Sequence, residues 1–255
     1  MSVSKDLDRI KQLRGAGLFV LLDPDRHTVD ELAARAAAAE SAGADVILVG
    51  SSLLLTATFD QAVEAIKKAT SLAVVIFPGS AVQISRHADA ILFLSLLSGR
   101  NSETLIGQHV KAAPTIHEHG LEAIATGYLL IESGTLSSIE FMSDTKPIPR
   151  KKPDIALAHV LAAQYLGMQL IYLEAGSGTD RPVPDEMIRY VSEHLTVPLI
   201  VGGGIKDVDT ARAKIEAGAD FVVVGNVLES SENTSLLAQL ADAVHSVRPP
   251  TTSGA

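Results

Sequence analysis

Residues 197–226 read VPLIVGGGIKDVDTARAKIEAGADFVVVGN and contain one complete strand, helix and second strand. The apolar runs Pro198–Val201 and Phe221–Val224 do not alternate with polar residues, which is typical of strands buried on both faces of a parallel sheet. Between them, Val208–Ala217 has the pattern of a helix, and a glycine-containing turn at Glu216–Asp220 joins it to the second strand. Parallel strands need such a crossover. The segment therefore predicts one unit of an α/β fold.

The same unit recurs along the 255 residues, and a second turn of the same form lies at Ser41–Asp45. Eight apolar runs predict strands, at Leu18–Leu22, Asp45–Val49, Ala73–Phe77, Ala90–Leu94, Glu122–Thr126, Gln169–Leu173, Pro198–Val201 and Phe221–Val224. Helical patterns follow several of them, at Thr28–Ser41, Asp60–Ala69, Asp154–Leu166, Pro184–His194 and Val208–Ala217. Eight such runs favour a single (β/α)8 TIM barrel over residues 1–246, with a disordered tail at 247–255. An open doubly wound sheet is the alternative, but the GxGxxG fingerprint is absent after the first strand.

Composition limits the classes of function. The absence of Cys excludes disulfides, thiolate metal sites and cysteine nucleophiles. A formal charge of −9 and an aromatic content of 4% argue against a protein that binds nucleic acid. The charged start lacks a secretory signal, and no apolar run reaches the roughly 20 residues of a bilayer span. We therefore expect a cytoplasmic protein whose partners are small molecules and whose contact with a membrane, if any, is peripheral.

Glycines follow the last two predicted strands. Active sites of such barrels form at the carboxyl ends of the strands, so Gly203 and Gly204 after the seventh strand and Gly225 and Asn226 after the eighth should lie together. Glycine lets backbone N–H groups approach an anion without a Cβ in the way. The pattern predicts a phosphate site after strands 7 and 8. Tight turns without a ligand are the alternative.

Glu174 ends the sixth strand in the stretch IYLEAGSG, residues 171–178. The glycines beyond it leave space for a ligand, and a nearby phosphate would raise the proton affinity of the carboxylate, as a general base requires. The alternative is an acid paired with a barrel Lys or Arg. Tyr172 either hydrogen-bonds the ligand or fills the interior.

Asp23 and Ser52 follow the first two strands and should be neighbours at the same edge. A carboxylate and a hydroxyl offer the oxygen ligands that Mg²⁺ accepts, although a strand-end Asp is as often a helix cap or an ion-pair partner. The eight His residues show no HExxH pattern, and we interpret them as structural or exposed. GxSxG and Walker motifs are also absent.

The longest predicted connection is irregular and spans residues 132–152, where prolines disfavour a regular helix. It is either a disordered surface crossing or a basic lid over an anionic substrate. The cations available for such a lid are Lys146, Arg150, Lys151 and Lys152.

The motifs Leu-Asp-Pro-Asp, Val-Gly-Ser-Ser, Tyr-Leu-Glu-Ala-Gly-Ser-Gly, Gly-Gly-Gly-Ile-Lys and Val-Gly-Asn together resemble those of the geranylgeranylglyceryl phosphate synthases, over nearly the whole chain. The Glu-Ala-Gly-Ser-Gly form and the Thr-Lys-Pro-Ile-Pro-Arg loop resemble the second of the family's two groups. The resemblance implies a TIM-barrel prenyltransferase that joins the terminal hydroxyl of sn-glycerol 1-phosphate to a polyprenyl diphosphate, with Mg²⁺, in ether lipid synthesis. We also expect a homo-oligomer.

The resemblance further implies roles for individual residues. Mg²⁺ would lie on Asp23 and Ser52, and Glu174 would be the base. Leu21 departs from the family, because a related branch often has Lys there, and that phosphate contact is lost or replaced. Glycerol phosphate would lie on Tyr172, Leu173, Glu174, Ala175, Gly176, Ser177, Gly178, Gly203, Gly204, Gly225 and Asn226.

Such a reaction also needs an apolar groove for the prenyl tail. The candidates by position are Leu53, Leu54, Leu55, Phe77, Leu96, Leu97, Phe141 and Met142, although each could equally belong to the core. Two other functions stay open. One is a phosphosugar or thiamin-pathway barrel, which needs no prenyl groove, and the other is a silent barrel that binds a phosphorylated ligand.

Overall fold

The structure is a computed structural model that describes residues 2–225 and 234–247. Its strands are β1 (Gly17–Leu22), β2 (Val46–Val49), β3 (Ala73–Ile76), β4 (Ala90–Leu96), β5 (Glu122–Leu130), β6 (Leu170–Glu174), β7 (Leu199–Gly202) and β8 (Phe221–Val224). Its helices are α1 (Val3–Arg14), α2 (Val29–Ser41), α3 (Phe59–Ala69), α4 (Gln108–His119), α5 (Ser138–Ser143), α6 (Pro153–Tyr165), α7 (Asp185–Ser192), α8 (Val208–Glu216) and α9 (Thr234–Ser246). One turn of π-helix, Glu103–Gly107, leads into α4.

The eight strands are parallel and close into a barrel in chain order. The closing pair is β1 with β8, where Gly17 lies opposite Phe221. Each predicted strand is present within a residue or two at its start, and β4 and β5 run further than predicted. The prediction of a (β/α)8 barrel is confirmed. One unit differs, because residues 77–89 between β3 and β4 contain no helix.

Alternate residues of the strands form two apolar layers, as expected for strands covered on both faces. One layer fills the barrel, with buried side chains that include Phe19, Leu48, Leu92, Ile124, Tyr128, Tyr172, Ile200 and Phe221. The other lies between strands and helices. Helix α1 belongs to the inner layer, since Val3 and Leu7 are buried against it. The N–H groups of Val3 and Ser4 donate to the Glu122 carboxylate at the start of β5, at 2.5 and 3.1 Å. This places α1 at the amino-terminal end of the barrel.

Carboxylates at the starts of strands hold neighbouring strands in register. Asp45, Asp89 and Asp220 each accept a hydrogen bond of 2.8 Å from a backbone N–H of an adjacent strand. The two Gly-Ala-Asp turns predicted from the sequence supply Asp45 and Asp220 in this way. Their role at this end of the barrel is packing, and the opposite end is left for chemistry.

The connection over residues 132–152 is partly ordered by its own structure. It contains α5, and Ile131 pairs with Ile148 in an isolated parallel bridge. The prolines lie after α5, which is why they do not prevent it. Helix α9 ends at Ser246, and the predicted tail beyond Val247 lies outside the described residues. No helix in the described part of the chain has the length and apolar composition needed to cross a membrane.

Candidate active site

A cavity of about 410 Å³ opens at the carboxyl ends of the strands. Its lining includes nine of the residues predicted from the sequence: Asp23, Ser52, Tyr172, Glu174, Ser177, Gly178, Gly203, Gly204 and Gly225. Leu173 and Ala175 are buried in the layer between strands and helices, so any contact they make with a ligand is through the backbone. Asn226 lies outside the described residues.

The turn after β7 requires glycine. Gly203 and Gly204 have φ of +82° and +74°, a backbone conformation that side chains disfavour. A Cβ on Gly203 would lie 2.4 Å from Oε1 of Glu174, and one on Gly204 would lie 2.9 Å from the Thr179 carbonyl oxygen. The Glu174 carboxylate therefore lies directly against the backbone of the turn.

Gly225 differs from these two glycines. Among the described residues, the nearest atoms to a Cβ added there belong to Leu21, at 3.8 Å, and Gly225 does not have a positive φ. Nothing in the described protein therefore demands a glycine at this position. Gly225 lines the cavity, where the absence of a side chain lets a ligand approach the backbone.

Glu174 is a buried carboxylate in this cavity, with 6% of its surface exposed. Burial raises its pKa from 4.5 to about 7, because the charged form loses its hydration. Two donors oppose this rise: the Gly176 N–H, at 2.6 Å from Oε1, and the Tyr172 hydroxyl. The pKa is thus already raised by the protein, before any charge of a bound phosphate is added. A carboxylate with this pKa can accept a proton near neutral pH.

Three aromatic rings form the floor of the cavity below Glu174. Phe77 stacks on Tyr172 with centroids 5.2 Å apart, and Tyr128 meets both rings edge-on, at 5.8 and 5.2 Å. Tyr172 fills the barrel interior, and its hydroxyl occupies the space that a Cβ on Gly202 would take, 2.2 Å away. Tyr172 therefore fills the interior, as one of its two predicted roles required, and a hydrogen bond to the ligand stays a prediction.

Tyr128 is a site residue that the sequence did not reveal. It is 5% exposed and lines the cavity, and burial together with the charge of Glu174 raises the pKa of its hydroxyl. No hydrogen bond to that hydroxyl is present within residues 2–225 and 234–247. The fifth strand was predicted to end at Thr126, whereas β5 continues to Leu130, so Tyr128 lies inside the strand. The available signal was the alternation of β5, which directs Ile124, Thr126 and Tyr128 to one face.

Asp23 follows β1, which pairs with β8, and 26% of its side chain is exposed. It accepts a hydrogen bond from the Asp25 N–H at 3.0 Å and lies 3.5 Å from Nε of Arg26. Asp25 has a separate task, since its carboxylate accepts from the N–H groups of Leu55 and Thr56, at 3.0 and 2.7 Å. It thereby ties the loop after β2, which carries Ser52, to the loop after β1.

Asp23 and Ser52 provide an oxygen-only donor set at the cavity wall. No cluster of three or more His, Cys, Asp or Glu side chains that could hold a metal occurs in the part of the chain that the structure describes. A carboxylate and a hydroxyl fit Mg²⁺, which is commonly held by one or two carboxylates together with substrate phosphates and water.

The cavity has an apolar arm that passes beside residues 77–81 and reaches α4. Phe93, His109, Ala112 and Ile116 line it there. Of the predicted groove residues, Leu53, Leu55, Phe77 and Leu96 line the cavity, whereas Leu54 and Leu97 pack against the core. Phe141 and Met142 are exposed and lie outside the lining.

His109 is a buried histidine with contacts to the fold, which agrees with its interpretation as structural. It lies in the apolar arm, where its Nε2 is 3.1 Å from the Ser95 hydroxyl and burial lowers its pKa. The ring is therefore neutral near pH 7, and it meets Phe93 edge-on.

The cations of the 132–152 connection do not line the cavity. Arg150 donates to the carbonyl oxygens of Glu132 and Arg181, at 3.2 and 3.0 Å, and so fastens the connection to the loop after β6. The part of this connection that reaches the cavity is uncharged, at Ser138 and Ile139. The prediction of a basic lid is therefore not met in this arrangement.

Lys206 is a cation in the cavity for which the sequence predicted no role. It lines the cavity beside the glycine turn, pairs with Asp180 at 2.5 Å and donates to the Gly178 carbonyl oxygen at 3.3 Å. It thus connects the loops after β6 and β7. Its place two residues after the three glycines was the available signal.

A closed (β/α)8 barrel with a buried carboxylate and a glycine turn at the carboxyl ends of its strands defines the class of barrel enzymes that work at that face. Residues 9–244 match the PcrB family, and the chain belongs to this family. The geranylgeranylglyceryl phosphate synthase of Chitinophaga pinensis is 45% identical over 90% of each chain. That of Thermococcus gammatolerans is 48% identical over 84% of each chain.

Solved structures agree with this assignment. The geranylgeranylglyceryl phosphate synthase of Thermoplasma acidophilum, in complex with its substrate sn-glycerol-1-phosphate, superposes with a TM-score of 0.92 at 38% identity. The match covers 97% of this chain and 100% of that one. The resemblance found from the sequence motifs is confirmed.

Proposed function

We propose that this protein is a prenyltransferase that joins the terminal hydroxyl of sn-glycerol 1-phosphate to geranylgeranyl diphosphate. The products are geranylgeranylglyceryl phosphate and diphosphate, as in ether lipid synthesis. The observation that carries the proposal is Glu174, a buried carboxylate with a pKa of about 7 that touches the glycine turn in a cavity with an apolar arm. The names of the relatives support the same substrates.

The glycine side of the cavity is suited to glycerol phosphate. Backbone N–H groups at Gly203, Gly204 and Gly225 are free of side-chain bulk, and Lys206 adds a positive charge beside them. We include Asn226 and the backbone of residues 175–178 in this subsite, as the family motifs imply. Binding the phosphate here would direct the glycerol hydroxyls toward Glu174, which contacts the same turn.

The chemical step exchanges one C–O bond for another. The glycerol hydroxyl oxygen attacks the first carbon of the prenyl chain, the bond from that carbon to the diphosphate breaks, and the diphosphate leaves with the bonding electrons. Glu174 takes the hydroxyl proton as the new ether bond forms. The Tyr172 hydroxyl and the Gly176 N–H hold the carboxylate in place while its charge changes.

Asp23 and Ser52 would hold the metal. When bound, Mg²⁺ supplies charge neutralisation for the leaving diphosphate. Asp23 follows β1, the neighbour of β8, so the metal and diphosphate subsite would adjoin the glycerol phosphate subsite at Gly225. Arg26, which also lines the cavity, adds a positive charge on this side.

The apolar arm of the cavity would bind the prenyl tail. Its lining of Phe77, Leu96, Phe93 and Ile116 removes apolar surface from water, at about 0.8 kcal/mol for each buried CH₂ group. A filled arm also excludes water from an allylic carbon that would otherwise be hydrolysed. Homo-oligomer formation, a cytoplasmic location and a peripheral membrane contact stay predictions.

The test is synthesis from the two substrates. Purified protein with Mg²⁺, geranylgeranyl diphosphate and radiolabelled sn-glycerol 1-phosphate should give a lipid-extractable product, which chromatography identifies. The enantiomer sn-glycerol 3-phosphate and the Glu174→Gln protein are the controls. If polyprenyl diphosphates of several lengths give no product although glycerol phosphate binds, the silent-barrel alternative replaces this proposal.

A further inference from the structure

The segment between β3 and β4 is a wall of the cavity without regular structure. Residues 77–81 and Ile84 line the cavity, between the rim that carries Ser52 and the apolar arm. Since no helix satisfies its backbone groups, this wall depends on side chains and neighbouring backbone for its position.

Gln83 provides one such attachment. It is completely buried, with 0% of its surface exposed. Its Nε2 donates to the carbonyl oxygen of Ser51 at 2.7 Å, and its Oε1 accepts from the N–H of Ser51 at 3.1 Å. One side-chain amide therefore satisfies both backbone groups of the residue before Ser52, as a neighbouring strand would.

The two segments also meet backbone to backbone. A Cβ on Gly50 would lie 1.8 Å from the Phe77 carbonyl oxygen, and one on Gly79 would lie 2.2 Å from the Ser51 carbonyl oxygen. No side chain separates the wall from the end of β2. A displacement of the wall would therefore displace Ser51 and Ser52.

A second amide holds the other side of the wall. Oε1 of Gln108 accepts from the Ala81 N–H at 2.7 Å, which ties the wall to the start of α4. The two amides act on different neighbours: Gln83 fixes the rim at the end of β2, and Gln108 fixes the apolar arm.

We propose that Gln83 is a positioning residue for the metal and diphosphate subsite, acting through the backbone of Ser51 to hold Ser52 in place. This inference rests on the proposed function, because it needs a diphosphate subsite at Asp23 and Ser52. It assigns no contact between Gln83 and substrate. The sequence alone does not indicate this role, because nothing distinguishes Gln83 from any other loop glutamine.

The experiment compares two affinities by isothermal titration calorimetry. One is for inorganic pyrophosphate with Mg²⁺, and the other is for sn-glycerol 1-phosphate. In Gln83→Met, which keeps the length but loses both hydrogen bonds, pyrophosphate affinity should fall about tenfold, while glycerol phosphate affinity stays within about twofold. Gln164→Met is the matched control. Gln164 also bonds backbone in both directions, accepting from Thr196 and donating to His194, at sites remote from the cavity.

A double-mutant cycle separates positioning from general support. If Gln83 acts through Ser52, then Gln83→Met should have little further effect in a Ser52→Ala background. Amide hydrogen exchange should also quicken at residues 50–53 in Gln83→Met and not in Gln164→Met. If Gln83→Met does not fold, Gln83→Asn keeps an amide one methylene shorter and replaces it in every measurement.

The outcomes are distinct. Equal losses of both affinities, or additive effects in the cycle, overturn the inference and leave Gln83 as a support of the fold. Unchanged pyrophosphate affinity overturns it as well. If the unaltered protein binds no pyrophosphate with Mg²⁺, the proposed diphosphate subsite itself is wrong and the inference falls with it.

Discussion

Neutralising Glu174 should stabilise the protein and at the same time lower turnover strongly. The folded protein raises the pKa of this carboxyl from 4.5 to about 7, so ionised Glu174 is tolerated less well in the folded state than in the unfolded chain. Its contribution is most favourable below pH 4.5 and is lost as the pH rises to about 7. At about 1.4 kcal/mol per pH unit, the full penalty is about 3 kcal/mol.

Glu174→Gln removes this penalty and keeps an oxygen that can accept from the Gly176 N–H. The variant should therefore gain stability relative to the unaltered protein, and the gain should grow by about 2 kcal/mol between pH 5 and pH 8. Turnover should fall by about 10²- to 10⁴-fold, as expected for loss of a general base. In the unaltered protein, kcat/KM should rise with pH through about 7.

Urea denaturation at a series of pH values measures the stability difference, and the radiolabel assay measures turnover. Glu118→Gln, on the exposed face of α4, is the control and should show no growing gain. Parallel stability curves for Glu174→Gln and the unaltered protein would show that Glu174 does not titrate in this range. The base assignment would then lose its physical ground.

Three further changes test other parts of the site. Gly225→Ala should keep its melting temperature within about 2 °C and raise the KM for glycerol phosphate about tenfold. Gly203→Ala, in contrast, should lose about 1–3 kcal/mol of stability. An unchanged KM in Gly225→Ala would contradict the proposed glycerol phosphate subsite. The free energy of unfolding of Tyr128→Phe should stay within about 1 kcal/mol of that of the unaltered protein. Its kcat/KM should fall about tenfold, because the Tyr128 hydroxyl would bond only the ligand. Unchanged kinetics would show that Tyr128 serves only the core. Asp23→Asn should raise the Mg²⁺ concentration for half-maximal activity at least about tenfold, and equal activity in excess chelator would refute the metal role.

Most of the fold could be predicted from local sequence patterns. Uninterrupted apolar runs marked strands covered on both faces, and the Gly-Ala-Asp turns marked the end of the barrel that holds no chemistry. The same logic pointed to Glu174, Asp23 and Ser52, because the carboxyl ends of parallel strands meet at one face. Each of these inferences needs only neighbours in sequence and one rule of topology.

Other features depend on contacts between distant residues. Tyr128 and Lys206 line the cavity only because β5 and the loop after β7 are brought beside Glu174, and Gln83 reaches Ser51 only because residues 77–89 fold without a helix. A basic lid was one of two interpretations of residues 132–152, suggested by the length and charge of the loop, whereas Arg150 bonds Glu132 and Arg181.

The sequence by itself predicted the eight strands, five of the crossover helices and the motifs that show the family, and it favoured a barrel, whose closure the structure confirmed. It did so because backbone conformation and burial on two faces leave periodic traces in residue type. The tertiary structure alone decided the pKa of Glu174, the close approach of that carboxylate to Gly203 and the course of the apolar arm. Those properties depend on which atoms exclude water from a given point, and such atoms come from strands far apart in the chain.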